Sequence, residues 1–357
     1  MMARLLLTCL ATTVLFCAGP ASAQGLDEAG VEAAAPRLAA VDAILEAAPN
    51  FAGVAAVSRD GLTVHAAGYG LRDRATATPH DPDQVFRWAS VSKMVTAIIV
   101  FQEVDRGTVA LDAPLTTYLP DSPVQNAGRI TVRQLLAHRS GLADPEAVPD
   151  SGEPGRPGPL LRACNVAAAE PGSVFLYNNC DTLLLGEVLE AVTGKGFVDL
   201  VNERMAEIGV TLAIPTGPLV EALMDGTTSE DPVWPANFGP SGGLYGTAGD
   251  MLAIDNALMD GKLMSAAALE TMLKGDPASG YAALSVWSYA PDLKGCLGQT
   301  RLVERYGEIN GVQVRNFLLL DRKVAVVLYA NDRRVDFGEI WRGEGLGIDV
   351  LRAAACG

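Results

Sequence analysis

The chain has 357 residues, with 42 Asp and Glu against 27 Lys and Arg, for a formal net charge of −15. That balance argues against nucleic acid or an anionic lipid surface as partner, since both are held by clustered Lys and Arg. The three histidines, His65, His80 and His138, are far apart and no Cys-x-x-Cys pair exists, so metal-dependent chemistry is disfavoured and no cofactor is expected.

The first residues, MMARLLLTCLATTVLFCAGPASAQ, contain one basic residue (Arg4), an apolar stretch through Phe16 and the small-residue run Ala21-Ser22-Ala23. This is the three-part pattern of an export signal, read as residues 1–23 with cleavage after Ala23, and its apolar stretch is too short to span a bilayer. Bulky Phe16 before Cys17 fits a lipid-attachment signal poorly, so soluble export to the periplasm or the exterior is the favoured reading. No later segment is long and apolar enough to cross a membrane.

Residues 36–48 carry apolar side chains at helical spacing, and two strand-like runs, 51–58 and 62–70, flank Arg59-Asp60-Gly61. Asp-Gly between two such runs predicts a hairpin. From Ser90 to about Gly280 the pattern is mostly helical, interrupted by proline- and glycine-rich loops such as 144–159. Strands are expected at 300–308, 313–320 and 324–330, and a closing helix at 337–355. The β-rich parts thus lie at both ends, predicting an α+β fold: residues 24–86 and 281–357 form an antiparallel sheet flanked by terminal helices, and 87–280 form an inserted, mostly helical domain. A cleft between such lobes suits a small-molecule or peptide substrate. Four cysteines follow the signal, Cys164, Cys180, Cys296 and Cys356, and allow three pairings. Cys164 with Cys180 is favoured because both flank one glycine-containing loop.

Ser90-Val91-Ser92-Lys93 is the only Ser-x-x-Lys in the chain. Positions i and i+3 of a helix share a face, so the Ser90 hydroxyl and the Lys93 amine can meet. A serine relieved of its proton by a neighbouring amine attacks carbonyls, although either Ser90 or Ser92 could instead cap the helix. Gly239-Pro-Ser241-Gly-Gly243 also fits the nucleophile elbow Gly-x-Ser-x-Gly. That elbow needs a preceding strand and a later histidine; residues 231–238 are no obvious strand and no histidine follows His138, so Ser241 is assigned to a glycine turn and Thr247 to Asp250 to a capping box.

Four ordered segments extend the Ser90 signal: Phe86-Arg-Trp-Ala-Ser90-Val-Ser-Lys93; Ile130 to Leu142 with Leu-Leu-Ala-His138-Arg-Ser-Gly141; Phe175-Leu-Tyr177-Asn-Asn179 with Leu183-Leu-Leu-Gly186; and Ser241-Gly-Gly-Leu-Tyr245 to Asp250. Together they resemble the class C β-lactamase-like serine hydrolases, from about residue 36 to about residue 335. The resemblance implies an acyl-enzyme on Ser90, proton transfer by Lys93 and Tyr177, and substrate binding by Asn179. It places Arg305-Tyr306-Gly307 where the family has Lys-Thr-Gly or His-x-Gly, with Glu308 beside it, and an oxyanion hole of the Ser90 and Glu308 amides. Arg305 cannot deprotonate, so it is expected to orient an anionic substrate group, and an esterase or peptidase is favoured over a true β-lactamase. His138 is expected to be structural, its imidazole binding the turn before Gly141. The alternative is a chain that has lost turnover and binds peptidoglycan fragments or a protein partner.

Overall fold

The computed structural model describes residues 37–144, 159–223, 226, 228–290, 293 and 298–356. The export signal, most of the 144–159 loop and Cys296 lie outside the described residues. The chain opens with α1 (Ala39–Ala47), β1 (Gly53–Arg59), β2 (Leu62–Tyr69), β3 (Leu71–Asp73), β4 (Thr78–Pro79) and β5 (Phe86–Arg87). It continues through α2 (Ser92–Asp105), α3 (Val132–Leu136), α4 (Pro159–Ala163), α5 (Cys180–Thr193), α6 (Phe197–Met205), α7 (Pro235–Gly242), β6 (Tyr245–Gly246), α8 (Ala248–Met259) and α9 (Ala266–Met272). It closes with β7 (Trp287–Tyr289), β8 (Leu302–Ile309), β9 (Val312–Leu319), β10 (Val324–Ala330) and α10 (Leu346–Cys356).

The β1–β2 hairpin forms where Asp-Gly predicts it, with Asp60 at φ 50° and Gly61 at φ 80°, the left-handed pair that a two-residue turn needs. Its strands join a six-stranded antiparallel sheet in the order β2-β1-β10-β9-β8-β7. Central β10 is buried along its whole length, while edge strand β2 alternates towards its end, as one-sided burial demands. On one face Val41, Leu45, Ile348 and Leu351 of the terminal helices pack with Phe317, Val326 and Leu328. On the other, Val54, Ala56, Val327 and Tyr329 join the helical core of α2 and α8. The α+β expectation therefore holds, with the first and last helices covering the sheet.

One local expectation fails and one alternative is ruled out, each for an identifiable reason. The helix expected over 337–355 begins only at Leu346, because Gly338, Gly343 and Gly345 adopt φ of 67°, 73° and 102°, which no right-handed helix contains. Neither Ser90 nor Ser92 caps α2: a 3₁₀ turn, Ala89–Val91, precedes the helix, and the Ser92 hydroxyl accepts from the Leu244 amide (3.2 Å). The capping box at Thr247 and Asp250 is present.

Helix α2 is buried on nearly every side, from Ser92 to Glu103. Such a helix has no amphipathic stripe and is fixed by packing all round, so its start cannot drift relative to the sheet.

A disulfide joins Cys164 to Cys180, the first residue of α5. Cys356 is also disulfide-bonded. The Cys164–Cys180 crosslink closes a loop with a sequence separation of 16. By loop-closure entropy, replacing both residues with Ser should lower unfolding free energy by about 3 kcal/mol. Urea denaturation checks this, and a change below about 1 kcal/mol contradicts it.

Candidate active site

The residues before Ser90 are anchored first. β5 pairs with β6 through Phe86 to Gly246 and Arg87 to Tyr245. The fully buried Arg87 guanidinium holds both Glu230 oxygens (2.9 and 3.1 Å), lies 3.0 Å from Glu221, and donates to the Tyr245 hydroxyl (3.1 Å). A buried charge needs such compensation, and losing one partner typically costs about 3–5 kcal/mol. Trp88, also buried, donates to Gly246 O (3.2 Å). The next residue, Ala89, is forced to φ 46°, a left-handed conformation costing about 1–2 kcal/mol for a residue with a Cβ. That strain sits immediately before Ser90, in the turn that presents its hydroxyl.

Ser90 is half-buried, and the groups around it are deeper. Lys93 Nζ donates to Ser90 Oγ (3.2 Å), Asn179 Oδ1 (2.6 Å) and Ser241 O (2.7 Å), three acceptors arranged for an ammonium. The Tyr177 hydroxyl donates to Ser90 Oγ at 2.8 Å. Arg305 Nη2 donates to the same Tyr177 oxygen (2.8 Å), and Arg305 Nε to Ser90 O (2.8 Å). Both cations also stand over the Tyr177 ring, at 5.0 Å (Lys93) and 5.4 Å (Arg305). Burial raises the Tyr177 pKa, but Arg305 and then Lys93 outweigh it and bring the phenol down to about 7. At neutral pH a substantial share of Tyr177 is thus phenolate, within one hydrogen bond of the serine.

The Tyr177-Asn178-Asn179 turn divides its work in a way its sequence does not announce. Asn178, the middle residue, does the local turn chemistry: its Oδ1 accepts from the Asp181 amide (2.9 Å) and its Nδ2 donates to Leu176 O (2.9 Å). Asn179 is thereby left to face Lys93. Helix α5, which carries this turn, sits hard against α7: a Cβ on Gly186 would lie 2.3 Å from Pro240 Cγ. That close approach sets the Ser241 carbonyl over Lys93, so Ser241 takes part through its backbone, while its hydroxyl donates to Phe238 O (2.6 Å).

His138 departs from expectation. Neither ring nitrogen has a hydrogen-bond partner among the described residues, so the imidazole does not bind the turn. His138 itself adopts φ 52° and its carbonyl accepts from the Leu176 amide (2.8 Å), while its ring packs against Tyr177 with centroids 4.6 Å apart. Burial, then Arg305 and Lys93, hold its pKa well below the ordinary histidine value, so it is neutral. Asp181 lies 3.6 Å from His138, and burial pushes its carboxyl up to about 8, so it is mostly protonated at neutral pH.

On β8 the side chains alternate. Arg305 and Gly307 face the Ser90 side, where a Cβ on Gly307 would stand 2.8 Å from Ser90 N and 2.6 Å from Trp88 O. Glu308 is exposed on the other face, towards Arg315, and does not join the cluster. Arg305 was expected to be available to an anionic substrate group; it is only 1% exposed, and two of its three nitrogens are committed to Ser90 O and Tyr177. One contributor escaped the motifs: Trp287, whose ring lies 6.5 Å from Tyr177 and 5.1 Å from the Arg305 guanidinium. Among the described residues no His, Cys, Asp and Glu cluster could hold a metal ion.

The Beta-lactamase family model matches residues 41–345. A putative penicillin-binding protein, PbpX, of Bacillus subtilis is 28% identical over 249 residues, which are 65% of this chain and 61% of that protein. A D-aminopeptidase of Brucella anthropi is 34% identical over 43% of this chain and 30% of its own length. Among solved structures, the D-amino acid amidase of Ochrobactrum anthropi SV3 superposes with a TM-score of 0.74 at 24% identity, covering 88% of this chain and 97% of that one.

If Tyr177 takes the Ser90 proton, the rate of Ser90 labelling by a fluorophosphonate should rise with pH through about 7 and level off above it, because the phenolate is the competent form. Arg305→Ala should move that inflection upward by removing one of the two cations, and a profile flat from pH 5 to 9 contradicts the assignment. Gly307→Val should cut labelling at least about 10²-fold with little loss of folded protein, since its side chain would press on the Ser90 amide. Unchanged labelling would remove Gly307 from the site.

Proposed function

The chain belongs to the beta-lactamase family of serine hydrolases, and from that premise we propose that it hydrolyses an ester, amide or D-amino-acid peptide through an acyl-enzyme on Ser90. The observation that carries the reading is the hydrogen bond from Tyr177 to Ser90 Oγ at 2.8 Å, with the phenol lowered to about 7. Tyr177 phenolate accepts the Ser90 proton as Oγ attacks the carbonyl; a positioned base of this kind contributes roughly 10²–10⁴-fold. Lys93 and Arg305 stabilise the phenolate before the transfer and Lys93 stays close to Ser90 Oγ throughout. The Ser90 and Glu308 amides receive the developing oxyanion, aided by the start of the buried helix α2. Tyr177, now a neutral phenol, returns its proton to the leaving group, and water attacks the acyl-serine by the same route. Asn179 supplies an amide for the substrate, alongside its bond to Lys93.

The substrate class is supported by the names of similar proteins, among them an esterase of Burkholderia gladioli, 41% identical over 25% of this chain and 24% of its own length. It is supported also by chemistry at residue 305. A guanidinium never gives up its proton, so no proton relay passes through that position and Tyr177 carries the transfer. Arg305, 1% exposed with Nε on Ser90 O and Nη2 on Tyr177, serves in this reading to hold and polarise Tyr177. The reading includes export, with residues 1–23 as the signal and a periplasmic or extracellular site of action. It also takes residues 24–86 and 281–357 as the sheet domain and 87–280 as the helical one, with Ser90 where the first gives way to the second.

Purified protein should turn over p-nitrophenyl acyl esters and D-alanyl peptides or amides faster than a chromogenic cephalosporin. Ser90→Ala should lower kcat at least about 10³-fold on each. Mass spectrometry should find one acyl or phosphonyl adduct, on the peptide that contains Ser90. Absence of both turnover and adduct would overturn the reading.

A further inference from the structure

The Ser90 cluster uses one face of β8. On the other, the strand register sets Tyr306 beside Arg315 and Glu304 beside Phe317, and at the β7 edge a cavity of about 720 Å³ opens there. Trp341, Tyr281 and Tyr306 line it at 58%, 46% and 44% exposure, and among the described residues these three are all of the exposed large aromatic side chains. Isolated exposed apolar residues are ordinary; every exposed ring gathered round one cavity marks a binding surface.

The polar groups in the same wall narrow the occupant. Arg315 lies over the rings of Tyr306 (5.4 Å) and Phe337 (4.6 Å) and donates to Val314 O and Gln313 Oε1, with no carboxylate at ion-pair distance among the described residues. Glu304 accepts from the Tyr289 hydroxyl (3.1 Å), and Glu339 pairs with Arg342 (2.7 Å). A purely apolar ligand would strand Arg315 and Glu304 away from water. An anion meets Glu304 and Glu339, and a cation meets Arg315. A neutral ring with apolar faces and a hydroxyl rim suits all of them: its C–H faces stack on the aromatic planes, and its hydroxyls donate to carboxylates and accept from the guanidinium.

We propose that this cavity is an accessory sugar-binding site that takes pyranose units of an oligosaccharide. It adjoins the reaction centre through Trp287, which lines the cavity, stacks on Tyr306 at 5.1 Å and lies 6.5 Å from Tyr177. The site stands independently of the chemistry at Ser90.

The test titrates the full purified protein with chitotetraose, cellotetraose and maltotetraose, by calorimetry and tryptophan fluorescence, with hippurate as an anionic aromatic control. At least one tetrasaccharide should bind saturably. Trp341→Ala should weaken it at least about tenfold while ester hydrolysis and Ser90 labelling stay unchanged, since Trp341 is exposed and outside the Ser90 cluster; Tyr281→Ala provides a second probe of the same wall. No tetrasaccharide binding, binding indifferent to both substitutions, or binding of hippurate alone would overturn the proposal.

Discussion

Two cations pressed against one phenol are what the rest of this site depends on. Arg305 and Lys93 both reach Tyr177, and their combined field exceeds the burial cost that would otherwise keep the phenol protonated at neutral pH. Neither cation could do this from solvent, where the high dielectric of water leaves only about 1 kcal/mol between unit charges about 4 Å apart. The fold therefore has to bury them, and burying them obliges it to surround each with acceptors: Asn179 Oδ1 and Ser241 O for Lys93, Ser90 O for Arg305. Those acceptors come from three separate stretches of chain, so one electrostatic requirement dictates how α2, α5, α7 and β8 meet.

The scaffolding around the cluster follows the same logic at one remove. Further charge beside Tyr177 would disturb the balance: burial holds His138, which packs on its ring, neutral, and keeps the Asp181 carboxyl next to His138 mostly protonated. The Arg87, Glu230 and Glu221 network fixes the strand before Ser90 without touching the serine itself. Close approaches do the remaining positioning. Gly186 admits Pro240, and Gly307 admits the Ser90 amide; in each place a methyl group would collide with its neighbour.

Much of this was legible in the linear pattern. The Asp60-Gly61 hairpin, the three strands of the C-terminal half and the 247–250 capping box are local features, set by turn chemistry and period-two or helical burial. The pairing of Ser90 with Lys93 needed only i, i+3 geometry. Where local reading failed, the cause was an interaction with a distant partner. Ser92 serves the Leu244 amide in place of a cap, and the His138 ring packs on Tyr177 in place of binding its own turn. Only the glycines at 338, 343 and 345 were in plain view and outweighed by an apolar pattern that mimicked a helix.

The amino-acid sequence by itself determined which residues are candidates for the chemistry, because a nucleophile, an amine, a phenol and an amide in family order are a matter of residue type and spacing. Tertiary structure alone decided what state those residues are in. Whether Tyr177 is a phenol or a phenolate depends on charges 84 and 128 positions away along the chain, which is a property of distance and dielectric that no local pattern encodes. The same holds for Arg305, whose identity suggested a hand for the substrate and whose burial makes it the guanidinium that readies Tyr177.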